Sequence, residues 1–203
     1  MDFPHLVRAR VYEHINPIDR GRYEDPLHEL LESQGLGRVT GGGSQLDANG
    51  GIAYAEIEVE VLNLGDALRT ITEALERAGA PEGSELLEGP DERVLRTFGT
   101  QQCLAVYLDG VSLPAAVYDE LDMDAVLTEI SAAAGENSYH SSSAGAEEAG
   151  FYFFGENAED MFRRVDPVLR RLPIGQNARV VIRHGTKSRN PREVRLPRHD
   201  AAV

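Results

Sequence analysis

The chain repeats one order of elements, and that repetition limits its folds more than any single motif does. Residues 6–12 (LVRARVY) alternate as a strand does, and 23–34 (YEDPLHELLESQ) have helical spacing, stopped by Gly35 and Gly37. A short strand near 38–40 runs into GGGSQLDANGG, where Asn49-Gly50 marks a hairpin turn. Residues 52–62 (IAYAEIEVEVL) form the clearest strand, 65–78 a helix with Leu68, Ile71 and Leu75 on one stripe, and 85–88 (ELLE) a short strand. About 90 residues further on, the same order returns. It comprises a strand at 102–108, a helix at 122–134 with Val126, Leu127 and Ile130 inward, strands at 137–142 and 150–154, a helix at 157–171 and a strand at 178–184. Asn157 suits the cap of that second helix, and Pro167 should kink or divide it.

Both halves therefore read βαββαβ. The expected fold is α+β, two tandem ferredoxin-like domains with antiparallel sheets. Residues 1–90 form the first domain, 91–100 a linker rich in Gly, Pro and charge, 101–185 the second domain, and 186–203 a basic C-terminal tail. The segment SLPAAVYDELD at 112–122 has no counterpart in the first half.

Composition narrows the class. A chain of 203 residues that is 41% hydrophobic and 27% charged is ordinary globular material, which excludes wholesale disorder. The lone Cys103 excludes a disulfide framework and a cysteine zinc cluster. No apolar stretch reaches the length of a membrane span and MDFPHLVRAR lacks a signal-peptide core, so a soluble, cytoplasmic protein is expected. The net charge is −14, which argues against nucleic acid as a partner. Between Asp119 and Asp160 there are 11 acidic residues and no Lys or Arg, whereas Met161–His199 holds 11 basic residues against Asp166 and Glu193.

Strand alternation assigns the sheet faces. Val7, Ala9 and Val11 share a side with Ile57, Val59 and Val61, leaving Arg8 and Arg10 opposite Glu56, Glu58 and Glu60. Cross-strand ion pairs are the expectation there; a divalent metal on the glutamate row is the weaker reading. The second sheet differs, because 102–108 and 151–154 are apolar on both faces and something must cover the outer one. The first domain, the 112–122 insertion and a second copy of the chain, giving a homodimer, are the leading candidate covers, with a partner protein or an apolar ligand as the alternative.

Few side chains suggest chemistry. Gly41, Gly42, Gly43 and Ser44 could cradle a small anion on backbone N–H groups, although a conformational role fits three glycines better. His5, His14, His28, His140, His184 and His199 lack zinc spacing, and His140 beside Ser141 lies on a strand, where neighbours point apart. Cys103 reads as a buried small hydrophobe. No catalytic residue, metal site or cofactor is assigned. The tail bases Lys187, Arg189, Arg192, Arg195 and Arg198 suit a solvated or docking segment that folds against the acidic run.

The stretches GRVTGGGSQLDANGGIAYAEIEVEVL, GAPEGSELL and LAVYLDGVSLPAAVYDELD resemble segments of small uncharacterised acidic bacterial proteins of the toxin-immunity type. That resemblance implies an immunity or inhibitor role against a basic toxin, and it maps no catalytic motif onto this chain. The leading expectation is a non-catalytic acidic module that docks a protein partner through Asp119, Glu120, Asp122 and Asp124, at the insertion unique to the second half. An ACT-like small-molecule sensor is the alternative, and an enzyme with a groove between the domains is the third.

Overall fold

A computed structural model describes residues 3–13, 15, 17–46, 52–184 and 191–198. The Asn49-Gly50 turn, His14, Lys187, Arg189 and His199 lie outside the described residues. The described chain forms two compact units, one ending at Gln101 and the other running from Gln102 to His184 with 191–198. Both are α+β with an antiparallel sheet.

The first unit contains β1 (His5–Val11), α1 (Gly21–Ser33), β2 (Gly37–Leu46), β3 (Ile52–Val61), α2 (Leu64–Arg77), β4 (Ser84–Glu88) and β5 (Arg93–Phe98). Its sheet order is β2-β3-β1-β4-β5. Val7, Ala9 and Val11 meet Ile57, Val59 and Val61 in one buried cluster with Tyr23, Leu27 and Leu31 of α1 and Ile71 and Leu75 of α2. Asn63 caps α2 by accepting from the Gly65 N–H (2.8 Å).

The second unit contains β6 (Gln102–Asp109), α3 (Ala115–Asp119), α4 (Met123–Ala134), β7 (Tyr139–Ala144), β8 (Glu148–Gly155), α5 (Ala158–Arg171), β9 (Arg179–Arg183) and β10 (Arg192–Arg195). Its order, β10-β9-β6-β8-β7, matches the first sheet strand for strand when read from β7. Leu104, Val106 and Leu108 pack with Val126 and Ile130 of α4 and Val165 and Leu169 of α5. Among the described residues, no helix is long and apolar enough to cross a membrane.

Three segments depart from the sequence reading. Residues 93–98, expected within a linker, form the edge strand β5 paired to β4, and Phe98 is buried in the first core. Within the expected tail, Arg192–Arg195 pairs with β9 as β10 and Leu196 is buried. The helix α5 runs through Pro167 without dividing, because that proline lies on the solvent side, where water can satisfy the carbonyl it frees.

The charged face of the first sheet has the expected register, with Arg8 opposite Glu58 and Arg10 opposite Glu56. Arg10 donates to Glu56 (2.7 and 2.9 Å) and to Glu92 (2.8 Å), and its guanidinium lies 4.3 Å over the Tyr54 ring. Exposed Glu58 faces Arg8 across the ladder, so Glu58→Lys should lower stability by about 0.5–1 kcal/mol. The shift of the urea midpoint at low salt checks this; an unchanged midpoint would contradict the repulsion.

Candidate functional site

The glycine run and the acidic corner are the two regions that the sequence marks for binding, and the structure treats them differently. Gly41–Ser44 is not a loop. It lies inside β2, paired with Glu58, Ile57, Glu56 and Ala55 of β3 after a bulge between Val39 and Gly41. An extended strand turns successive N–H groups to opposite sides, so the segment cannot converge them on an anion. Gly42 has a packing reason instead: a Cβ there would stand 2.5 Å from the Glu56 carbonyl oxygen and 2.7 Å from Glu24 Oε1. Surface depressions of about 500 Å³ beside Leu6 and Arg8, and about 300 Å³ beside Gly135 and Asp160, lie elsewhere.

The acidic corner is built from the 112–122 segment. Leu113 is buried in the second core, and Val117, Tyr118 and Leu121 pack against it, so the short helix α3 is tied down by its apolar side. Asp109, at the end of β6, ties down the entry. Its Oδ1 accepts from the N–H groups of Val111 (2.9 Å) and Ser112 (2.7 Å) and from Tyr118 Oη (2.9 Å). Its Oδ2 accepts from Ser112 Oγ (2.5 Å), and Asn177 donates to Ser112 Oγ at 2.9 Å. On the far side, Asp122 Oδ1 accepts from the Ala125 N–H (3.0 Å) and caps α4.

Burial works against a charge on Asp109, but the hydrogen bonds from Ser112, Val111 and Tyr118 outweigh it and hold the carboxyl well below its ordinary 3.8. A depressed folded-state value contributes stability above the unfolded-state value and loses it as pH falls below. Asp109→Asn should therefore lower stability at neutral pH and flatten the acid limb below about pH 4. Urea midpoints from neutral to acid pH test this, and an acid limb as steep as the parent's would contradict it.

Asp119, Glu120, Asp122 and Asp124 are exposed on this corner, and among the described residues no cation lies within ion-pair distance of them. Other acids of the same run are matched by the basic C-terminal part. Arg171 pairs with Glu129 (2.5 Å), Arg179 with Glu148 (2.5 Å), Arg192 with Glu159 (2.6 Å) and Arg163 with Asp160. The expected fold-back of basic tail onto acidic run thus exists at Arg192. It leaves the corner uncompensated.

The outer face of the second sheet carries Cys103, Ala105, Tyr152, Phe154 and Val181, each at most 5% exposed, with Tyr107 beside them. The Arg179 guanidinium lies 3.9 Å over the Tyr107 ring, and the His140 ring stacks on Phe154 at 4.8 Å. Sequence reasoning missed Glu92, which reaches Arg8 and Arg10 from the β4–β5 turn with φ 51°, and it missed the Asp109 network. The Asp-x-x-Ser spacing at 109–112 was the available signal for the latter.

No family model matches this chain, and no curated protein matches it. Two solved structures are similar at low identity. The crystal structure of an unknown protein from Galdieria sulphuraria shares 9% identity over 88% of this chain and 96% of that one, with a TM-score of 0.28. A presumed monooxygenase from Lactobacillus acidophilus NCFM shares 12% identity over 95% of this chain and 100% of its own, with a TM-score of 0.29. At these scores neither likeness carries over a fold or an activity.

Proposed function

We propose that this protein is a binding module that captures a basic protein partner in the cytoplasm through Asp119, Glu120, Asp122 and Asp124, in the manner of an immunity protein or inhibitor. The observation that supports the reading is the uncompensated corner. Four exposed carboxylates lie within six residues on a backbone fixed by the core and by Asp109, while neighbouring acids have their own arginines. Fixed, unpaired charge attracts a complementary surface from a distance, which speeds encounter more than it deepens the bound state.

Both units are ferredoxin-like under this proposal. The strand orders β2-β3-β1-β4 and β7-β8-β6-β9, each with two helices in the core on one sheet face, support that topology. The corner is then an insertion on a repeated scaffold, a common place for specificity. Pull-down from the native host tests the proposal. A basic protein released by moderate salt is the expected result, and recovery of a tightly bound metabolite with no protein would overturn it.

A further inference from the structure

The strand β2 is one edge of the first sheet, and among the described residues no strand pairs with its free side. Gly41, Gly42 and Gly43 are extended, none at positive φ, and Thr40, Gly42, Gly43 and Gln45 are exposed. In an antiparallel ladder every second residue turns its N–H and C=O away from the partner strand. One such donor is visible: the Val39 N–H donates to His28 Nδ1 of α1 (3.3 Å). Edge strands are usually blunted by lysine, proline or a bulge. Here the bulge falls before Gly41, and beyond it the strand itself carries no side chain for three residues, while the Glu24 and Arg20 side chains lie against Gly42 on one face.

The charges beside this edge are mainly acidic. Glu24 lies against Gly42 and is paired with Arg20; Glu32 sits 3.4 Å from His28 Nε2. On the opposite face Glu58 is exposed beside Gly41 without a cation partner among the described residues, and Glu60 is paired with Arg38. A second copy laid against the same edge would bring like carboxylates together. A basic chain meets no such repulsion.

We infer that the free edge of β2, from Gly41 to Ser44, binds an extended basic segment of a partner protein as an added strand. Main-chain hydrogen bonds supply the pairing, Glu58 and Glu32 select positive side chains, and the open space at Gly43 leaves room for a side chain of the guest. This site is separate from the Asp119–Asp124 corner.

The test follows amide exchange and chemical shifts of the full chain on adding a blocked peptide that alternates Lys and Val. At saturation, exchange of those Gly41–Ser44 amides that turn away from β3 should slow by about tenfold or more. A peptide of equal charge with alternate amides N-methylated should not slow it, and Glu58→Lys combined with Glu32→Lys should weaken binding by roughly tenfold. Equal effects from the methylated peptide, or no slowing at Gly41–Ser44, would overturn the inference. Changes confined to Asp119–Asp124 would also overturn it while supporting the proposed corner. Slowing that needs only higher protein concentration would assign the edge to a second copy instead.

Discussion

Replacing Gly99 with alanine should destabilise the first unit by about 3 kcal/mol or more. Gly99 has φ +98°, which L side chains rarely adopt, and a Cβ there would lie 1.9 Å from the Pro81 carbonyl oxygen. The backbone cannot retreat easily. The Gly99 N–H donates to Glu76 Oε1 (3.0 Å), the Thr100 N–H to the Ala80 carbonyl (3.0 Å) and the Glu82 N–H to the Gln101 carbonyl (2.8 Å). Relief of the clash must break one of these bonds or open the core beneath Phe98. Gly43→Ala is the matched control, since nothing lies within 4 Å of that Cβ, and it should stay within about 0.5 kcal/mol of the parent. Urea unfolding of both variants decides, and similar midpoints would contradict the geometry around Gly99.

Arg22→Met should cost about 2–3 kcal/mol, because it removes the cation facing a buried carboxylate. The Glu13 side chain has no exposed surface; Arg22 Nη2 donates to both its oxygens (2.7 and 2.8 Å), and Tyr23 Oη donates to Oε2 (2.6 Å). Adding Glu13→Gln should recover much of the loss, since the charge left behind is what costs most. The same cluster predicts an alkaline limb. Burial, and then the Glu13 carboxylate, push the Tyr23 hydroxyl above its ordinary 10.0 in the folded state. Its contribution is fully present below that value and is lost as pH rises above it, because the unfolded chain releases the proton first. Tyr23→Phe should be less stable at neutral pH and should show a shallower alkaline limb in urea midpoints. A limb as steep as the parent's would place the titration elsewhere.

How much of this was legible depends on how each segment divides its faces. β1 and β3 were readable because VRARV and IEVEV alternate strictly, with an apolar side for the helices and arginines meeting glutamates on the other. β2 was readable only in its first residues, since glycines carry no side chain to reveal a period; the strand persists because β3 pairs it throughout. β5 was hidden by its charges and by the register shift at Leu86/Leu87, and β10 by having three charged residues of four. Pro167 misled because sequence does not show which side of a helix faces water. The four acids of the corner were visible as a cluster. Their lack of partners was not, since it depends on Arg171, Arg179 and Arg192 reaching other carboxylates.

The central claim is that the uncompensated corner captures a basic partner. Association kinetics of the captured partner with the parent and with the variant Asp119→Asn, Glu120→Gln, Asp122→Asn, Asp124→Asn, at two salt concentrations, test it most directly. Asn caps a helix as well as Asp does, so α4 keeps its start and the fold is retained. The account predicts that the variant associates roughly tenfold more slowly at low salt and loses most of the salt dependence, with dissociation less affected. Equal association rates and equal salt slopes for the two proteins would contradict it.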